Sequence, residues 1–368
     1  MNGLFHLGKL VMIETNFIEY QLDFKFDAGT SRGVMIHHKV IFLILEDKNS
    51  NLKGIGECAP LPGLSVEDIN NVQSFLKKFN QDLSGIYALT DLESISGFVN
   101  KIVPESLPSV RFGFETAILD LKSGGQKEIF SGEFFNGVKR IPINGLIWMG
   151  DKEFMLNQIK TKIDQGFDCL KMKIGAIDFN TELDILNFIR ANFSEKDLTI
   201  RVDANGAFSL NEAYEKLGKL SKFKLHSIEQ PIKQGNYLEM KGLCAESPVP
   251  IALDEELIGV PLGESEGLLN EIKPQYIILK PTLIGGLGAS DKWISTAEKL
   301  GIEWWMTSAL ESNIGLNSIA QYTGYKNVSL PQGLGTGQLY HNNVNSPLTI
   351  ENGEIFYDKS KSWDDSIF

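Results

Sequence analysis

The chain has 368 residues, 42% of them hydrophobic and 22% charged, the balance of a soluble globular protein with room for about two domains. Lys and Arg total 35 against 47 Asp and Glu, a formal charge of −12. So acidic a body argues against nucleic acid or an anionic membrane as partner and leaves a local cationic pocket for a small anion as the alternative. Cys58, Cys169 and Cys244 are scattered, and the five histidines offer no zinc spacing, so free cytoplasmic thiols are expected.

Residues 1–12 carry no secretory pattern and read as a disordered extension before the first strand. From there to about residue 130, strands come first and helices after. Ile18, Tyr20, Leu22, Phe24 and Phe26 alternate with polar residues, and a turn-rich Asp27–Gly33 leads to a second strand over 34–45. Gly54–Gly63 reads as a short strand entering a Pro/Gly loop, and helical periods follow at 66–79, 92–102 and 110–122. This predicts an α+β domain over 13–130.

From residue 131 to 340 the texture changes to short apolar strands alternating with amphipathic helices. Strands are predicted at 141–147, 169–174, 199–203, 225–229, 251–254, 276–280, 304–307 and 329–333. Eight such repeats predict a (β/α) barrel, with a doubly wound open sheet as the alternative. Residues 341–368 hold a hairpin with an Asn352-Gly353 turn, expected to return to the N-terminal domain. The longest apolar run, Val40–Leu45, is far below the ~20 residues of a membrane span.

The chemistry lies at the strand ends. Lys171 and Lys173 are two apart on one strand and share a face. Asp203, Glu229, Asp254 and Lys280 end the next four strands at steps of 26, 25 and 26 residues. Each therefore belongs at the C-terminal mouth where barrel enzymes keep their active sites. Three carboxylates on adjacent strand ends repel unless a cation lies among them, and an all-oxygen set suits Mg²⁺. Alone, each residue has a plainer reading, as a solvated lysine or a helix N-cap. Inside a buried strand such as Cys169–Gly175, however, charged groups need partners, and these residues supply one another. Gly54-x-Gly56 is not a dinucleotide fingerprint, because Pro60 and Pro62 block the helix that would receive the pyrophosphate. Gly333-Leu-Gly-Thr-Gly337 reads as a plain turn or as a loop letting backbone approach a ligand closely.

These residues resemble the enolase superfamily in its muconate-cycloisomerase-like branch. The matching segments are Leu170–Gly175, Arg201-Val-Asp-Ala-Asn205, Ile228-Glu-Gln-Pro231, Ala252-Leu-Asp-Glu255 and Leu279-Lys-Pro281. Gly29–Gly33, Gly54–Gly63, Ser308–Ser312 and Gly333–Gly337 are similar to the o-succinylbenzoate synthase family within that branch. The resemblance implies a modified (β/α)7β barrel with an N-terminal α+β cap completed by the C-terminal segment. It implies Mg²⁺, or Mn²⁺ in its place, held by Asp203, Glu229 and Asp254. Lys173 becomes the base that removes a proton α to a carboxylate, Lys171 a partner of that carboxylate, and Lys280 a cation on the opposite side. The implied substrate is a small anionic dicarboxylate that loses water on the way to menaquinone. Arg32 is a candidate gate residue, with a solvated loop arginine as the equal alternative, and Ser308 and Gly335 are candidates for the succinyl carboxylate. Racemisation of N-acylamino acids, or another epimerase or cycloisomerase reaction of the branch, is the rival within the superfamily. A non-catalytic barrel whose charged mouth is a salt-bridge network is the rival outside it. Oligomeric state stays open.

Overall fold

The computed structural model describes residues 12–30, 33–326 and 328–368. The expected N-terminal extension, Met12 apart, and Arg32 lie outside them.

Three antiparallel strands, β1 (Ile13–Thr30), β2 (Gly33–Asp47) and β3 (Leu52–Cys58), form the cap sheet in that order. Helices α1 (Ile69–Lys78), α2 (Leu92–Ile102) and α3 (Pro108–Lys122) follow. The apolar run of β2 is explained by burial on both faces. Ile41, Leu43 and Leu45 pack with Val72, Val99, Phe114 and Ile118 of the helices, while Val40 and Phe42 turn toward Trp148, Leu310 and Tyr340 of the barrel. β3 lies so close on α3 that a Cβ at Gly56 would stand 1.9 Å from Gly113 O. The glycines of 54–56 therefore serve strand–helix packing.

The chain then runs through β4 (Ile141–Pro142), β5 (Gly145–Ile147), α4 (Lys152–Asp164), β6 (Cys169–Lys173), α5 (Phe179–Asn192), β7 (Thr199–Asp203) and α6 (Leu210–Leu220). It continues through β8 (Ser227–Glu229), α7 (Tyr237–Glu246), β9 (Ile251–Leu253), α8 (Ser265–Ile272), β10 (Tyr276–Leu279), α9 (Pro281–Ile284), α10 (Leu287–Lys299), β11 (Glu303–Met306) and α11 (Asn313–Lys326). Strands β5 to β11 form one parallel sheet in sequence order, curled around a core of branched aliphatic side chains. No described helix is long and apolar enough to cross a membrane.

The eighth strand expected at 329–333 is reduced to two parallel bridges, Ile143 to Gln332 and Thr307 to Gly333, which join the two ends of the curled sheet. Pro331 has no N–H to extend the ladder. A Cβ at Gly333 would overlap Thr307 Oγ1, so the closing segment passes as backbone alone.

The hairpin β12 (Leu348–Glu351) and β13 (Glu354–Tyr357) has its Asn-Gly turn, with φ of 50° and 70°. Its sheet partner is β4 of the barrel, through Ile355 and Ile141, and not the cap. The cap is reached instead by the flanking segments. Tyr340 bridges Phe24 of β1, and Phe368 packs on Phe42 with ring centroids 5.1 Å apart. The sequence shows a hairpin but not its partner, because register across distant segments leaves no local mark.

Candidate active site

Strand ends and helix starts divide the acidic residues between two tasks. Asp151, Asp178 and Ser209 cap α4, α5 and α6 through side-chain bonds to the first-turn amides. Asp203 is therefore free of the N-cap role, and Asp254 makes no side-chain cap bond to the short turn after it.

Parallel register places Lys173 beside Asp203, and Asp203 beside Glu229. Asp254 and Lys280 stand farther along their strands, as the stagger of tilted barrel strands requires. All are buried: Asp203, Glu229 and Asp254 expose 3% or less of their surface, and the three lysines less than 10%. Lys171 Nζ bridges Asp203 Oδ2 at 2.9 Å and Glu229 Oε2 at 2.6 Å. Lys173 Nζ donates to Asn205 Oδ1 at 2.8 Å and lies 3.3 Å from Asp203 Oδ2, with the Trp148 ring centroid 6.0 Å away. Lys280 Nζ binds Asp254 Oδ2.

Burial alone would raise the Asp203 carboxyl, but Lys171 and Lys173 overcome it and hold the group well below the usual carboxylate range. Glu229 goes the other way. Burial, then the charge of Asp203, pushes it well above its ordinary value, with Asp254 adding to the effect. Burial also works against the ammonium groups of Lys171 and Lys280, yet the surrounding carboxylates raise both. The site is thus richer in buried oxygen than its lysines can satisfy.

Does a divalent ion fit? Among the described residues no group of three or more His, Cys, Asp or Glu stands arrayed as metal ligands, and the lysine ammonium groups pair with the carboxylates. Glu229 Oε1, though, is buried without a hydrogen-bond partner, and two further carboxylates adjoin it. An all-oxygen set with an orphaned acceptor fits a hard cation.

The cluster opens into a cavity of about 710 Å³ between the barrel mouth and the cap. Lys171, Lys173, Asp203, Asn205 and Lys280 line its charged end, and Phe26, Met35, Leu64, Trp148 and Leu310 its apolar wall. Its size suits a small ligand. Gly335 also lines it. Ser308 does too, but its Oγ is engaged, donating to Glu311 at 2.5 Å and accepting from Thr336 at 2.7 Å, which counts against its expected role on the succinyl carboxylate. Asn205 and Trp148 were not singled out from sequence. The signal for Asn205 was its place two residues beyond Asp203; Trp148 had none, since its approach to Lys173 is made by the fold.

Residues 155–359, more than half of the chain, match the family described as enolase C-terminal domain-like. The chain belongs to the enolase superfamily. Its similarity extends well beyond the matched region. An o-succinylbenzoate synthase of Desulfotalea psychrophila is 46% identical over 362 residues, spanning 93% of this chain and 98% of the relative. The solved structure of MenC from the same organism superposes with a TM-score of 0.85 at 42% identity, covering 94% of this chain and 99% of that one. At 24% identity, an o-succinylbenzoate synthase of Thermosynechococcus elongatus, solved with Mg in its active site, shares the fold with a TM-score of 0.70, over 87% of this chain and 92% of that one. For this enolase-superfamily chain the cap and the curled parallel sheet are the expected architecture.

Proposed function

We propose that the protein is an o-succinylbenzoate synthase, a hydro-lyase that dehydrates 2-succinyl-6-hydroxy-2,4-cyclohexadiene-1-carboxylate on the route to menaquinone. The observation that carries this reading is 46% identity over nearly the whole length of a curated synthase, in a chain that keeps the lysines and acids of the site together. The reading makes residues 13–130 the cap, 131–340 the catalytic barrel and the cytoplasm the place of action.

Asp203, Glu229 and Asp254 would hold Mg²⁺, or Mn²⁺ in its place; bound there, the ion supplies positive charge to the substrate carboxylate as negative charge develops. Lys173 removes the proton α to that carboxylate and returns it to the departing hydroxyl, which leaves as water. Asn205 Oδ1, 2.8 Å from Nζ, accepts another of its N–H groups and so orients the amine. Lys171 bonds the carboxylate, and Lys280 faces the ring from the other side as a cation. With Lys173 neutral, as a base must be, two ammonium groups, three carboxylates and a divalent ion would sum to about +1, a cationic mouth for a dianion entering an acidic protein. The apolar wall with Trp148 takes the ring that becomes aromatic.

The test is turnover of the diene by the purified protein with Mg²⁺, followed as loss of diene absorbance. Racemisation by Lys173 and Lys280 on opposite sides is the second reading, favoured by their attachment to different carboxylates across the mouth. Change in optical rotation of an N-acylamino acid, without diene turnover, would replace the first reading by the second.

A further inference from the structure

Two loops wall the cavity away from the lysines. One belongs to the cap, where Leu61, Pro62, Gly63 and Leu64 line it, and the other follows β11, where Thr307 to Leu310 line it. Between them stands His38 of β2, 1% exposed and outside the cavity. Its Nδ1 lies 3.0 Å from Leu310 O and its Nε2 3.2 Å from Pro60 O. One imidazole therefore touches the backbone of both walls.

The barrel loop needs holding. Leu310 has φ of +69°, the left-handed region in which a Cβ crowds the backbone. Such backbone persists where its surroundings over-determine it. Here the Leu310 carbonyl meets His38 Nδ1 and accepts the Tyr340 hydroxyl at 2.6 Å, while the Leu310 N–H donates to Ser308 Oγ at 3.1 Å. A neutral imidazole carries one N–H and donates to one carbonyl at a time. The Nδ1–H tautomer donates to Leu310 O and the Nε2–H tautomer to Pro60 O.

We propose that His38 is a positioning residue for the dehydration, tying cap loop 60–64 to barrel loop 307–311 so that the two form one rigid wall for the substrate. It touches neither the lysines nor the acids. Its effect is therefore on substrate binding and not on the chemical step. The inference rests on the o-succinylbenzoate synthase reading for its reaction, but the tie itself is a statement about two loops.

The experiment compares His38→Leu, His38→Gln and His38→Asn in the full-length protein. Gln keeps a donor where Nε2 stands and Asn one where Nδ1 stands; Leu keeps neither. For His38→Leu, KM for the diene should rise about ten-fold or more with kcat changed less than about three-fold, the mark of lost uniform binding. Deuterium uptake should increase at 60–64 and at 307–311. His38→Gln should expose mainly 307–311 and His38→Asn mainly 60–64, and this opposed pattern carries the test if the Leu variant does not fold. Unchanged KM and unchanged uptake at both segments in folded variants would overturn the proposal, leaving His38 as scaffold. The opposed uptake pattern in a protein that does not turn over the diene would support the tie and overturn the reaction assignment instead.

Discussion

The carboxylate of Glu57, on the last strand of the cap, accepts the backbone N–H of Ser312 at the start of a barrel helix, at 2.8 Å. It also takes the Ser312 hydroxyl at 2.6 Å and the Gly315 N–H at 2.8 Å. A cap residue thus satisfies the free amides at the N-terminus of α11. Glu115 of α3 does the same for α10, accepting Leu287 N–H at 2.6 Å. The two carboxylates fasten cap to barrel. Glu57→Ala leaves three buried donors without partners, at about 1–3 kcal/mol each. A large fall in the denaturant midpoint is expected; a midpoint equal to wild type would show the joint to be held elsewhere.

The same pair gives stability a pH dependence. Burial, outweighing their hydrogen-bond donors, pushes both Glu57 and Glu115 up to about 7 from an ordinary 4.5. The folded state binds these protons more tightly than the unfolded chain. Their contribution is therefore complete below the unfolded value and is lost as pH rises through about 7. Chemical denaturation at about pH 5.5 and about pH 8.5 should show the lower midpoint at the higher pH, with a flatter dependence in Glu57→Gln. An equal slope in the variant would remove Glu57 from the account.

Lys173→Ala removes the proposed base while leaving all three carboxylates. kcat should fall by about 10²–10⁴, with Mg²⁺ affinity by calorimetry close to wild type. A variant as fast as the parent would end the assignment of Lys173.

Glu229 has the orphaned buried oxygen, so its charge is the one most in need of a cation. Saturating Mg²⁺ at about a hundredfold over its dissociation constant should stabilise the protein by about 2.7 kcal/mol. Glu229→Gln should lose most of that shift in a thermal melt, and chelation should abolish turnover until Mg²⁺ is restored. A melting temperature indifferent to Mg²⁺ in the wild type would count against the ligand set.

Gly56→Ala places a methyl where Gly113 O already stands. β3 and α3 would have to separate, a change expected to cost about 1–3 kcal/mol. It should be visible as a lower melting temperature with KM unchanged in the folded fraction.

How much of this was open to reading in the chain itself differs element by element. The helix at 92–102 follows from its apolar period, and the fold adds a cap in Asp91, whose side chain accepts the Ser94 N–H. The strand ends at Lys173, Asp203 and Glu229 follow from spacing, because one βα repeat has a nearly fixed length. The strand at 329–333 did not form as expected, since Pro331 and Gly333 leave it little to pair with. The Ser308 hydroxyl is engaged rather than open, because Glu311 and Thr336, 3 and 28 residues further along the chain, meet at it.

The amino-acid order by itself determined the α+β cap, the alternating barrel segments and the row of charged residues at the strand ends. These are periodic features, and periodicity is local. The folded chain alone decided which buried charge meets which, that Glu57 and Glu115 serve the helices of the barrel, and that His38 lies between two loop carbonyls. Those pairings join residues tens to hundreds of positions apart, and burial gives them their energy. No local pattern encodes a partner that only close packing brings within hydrogen-bonding distance.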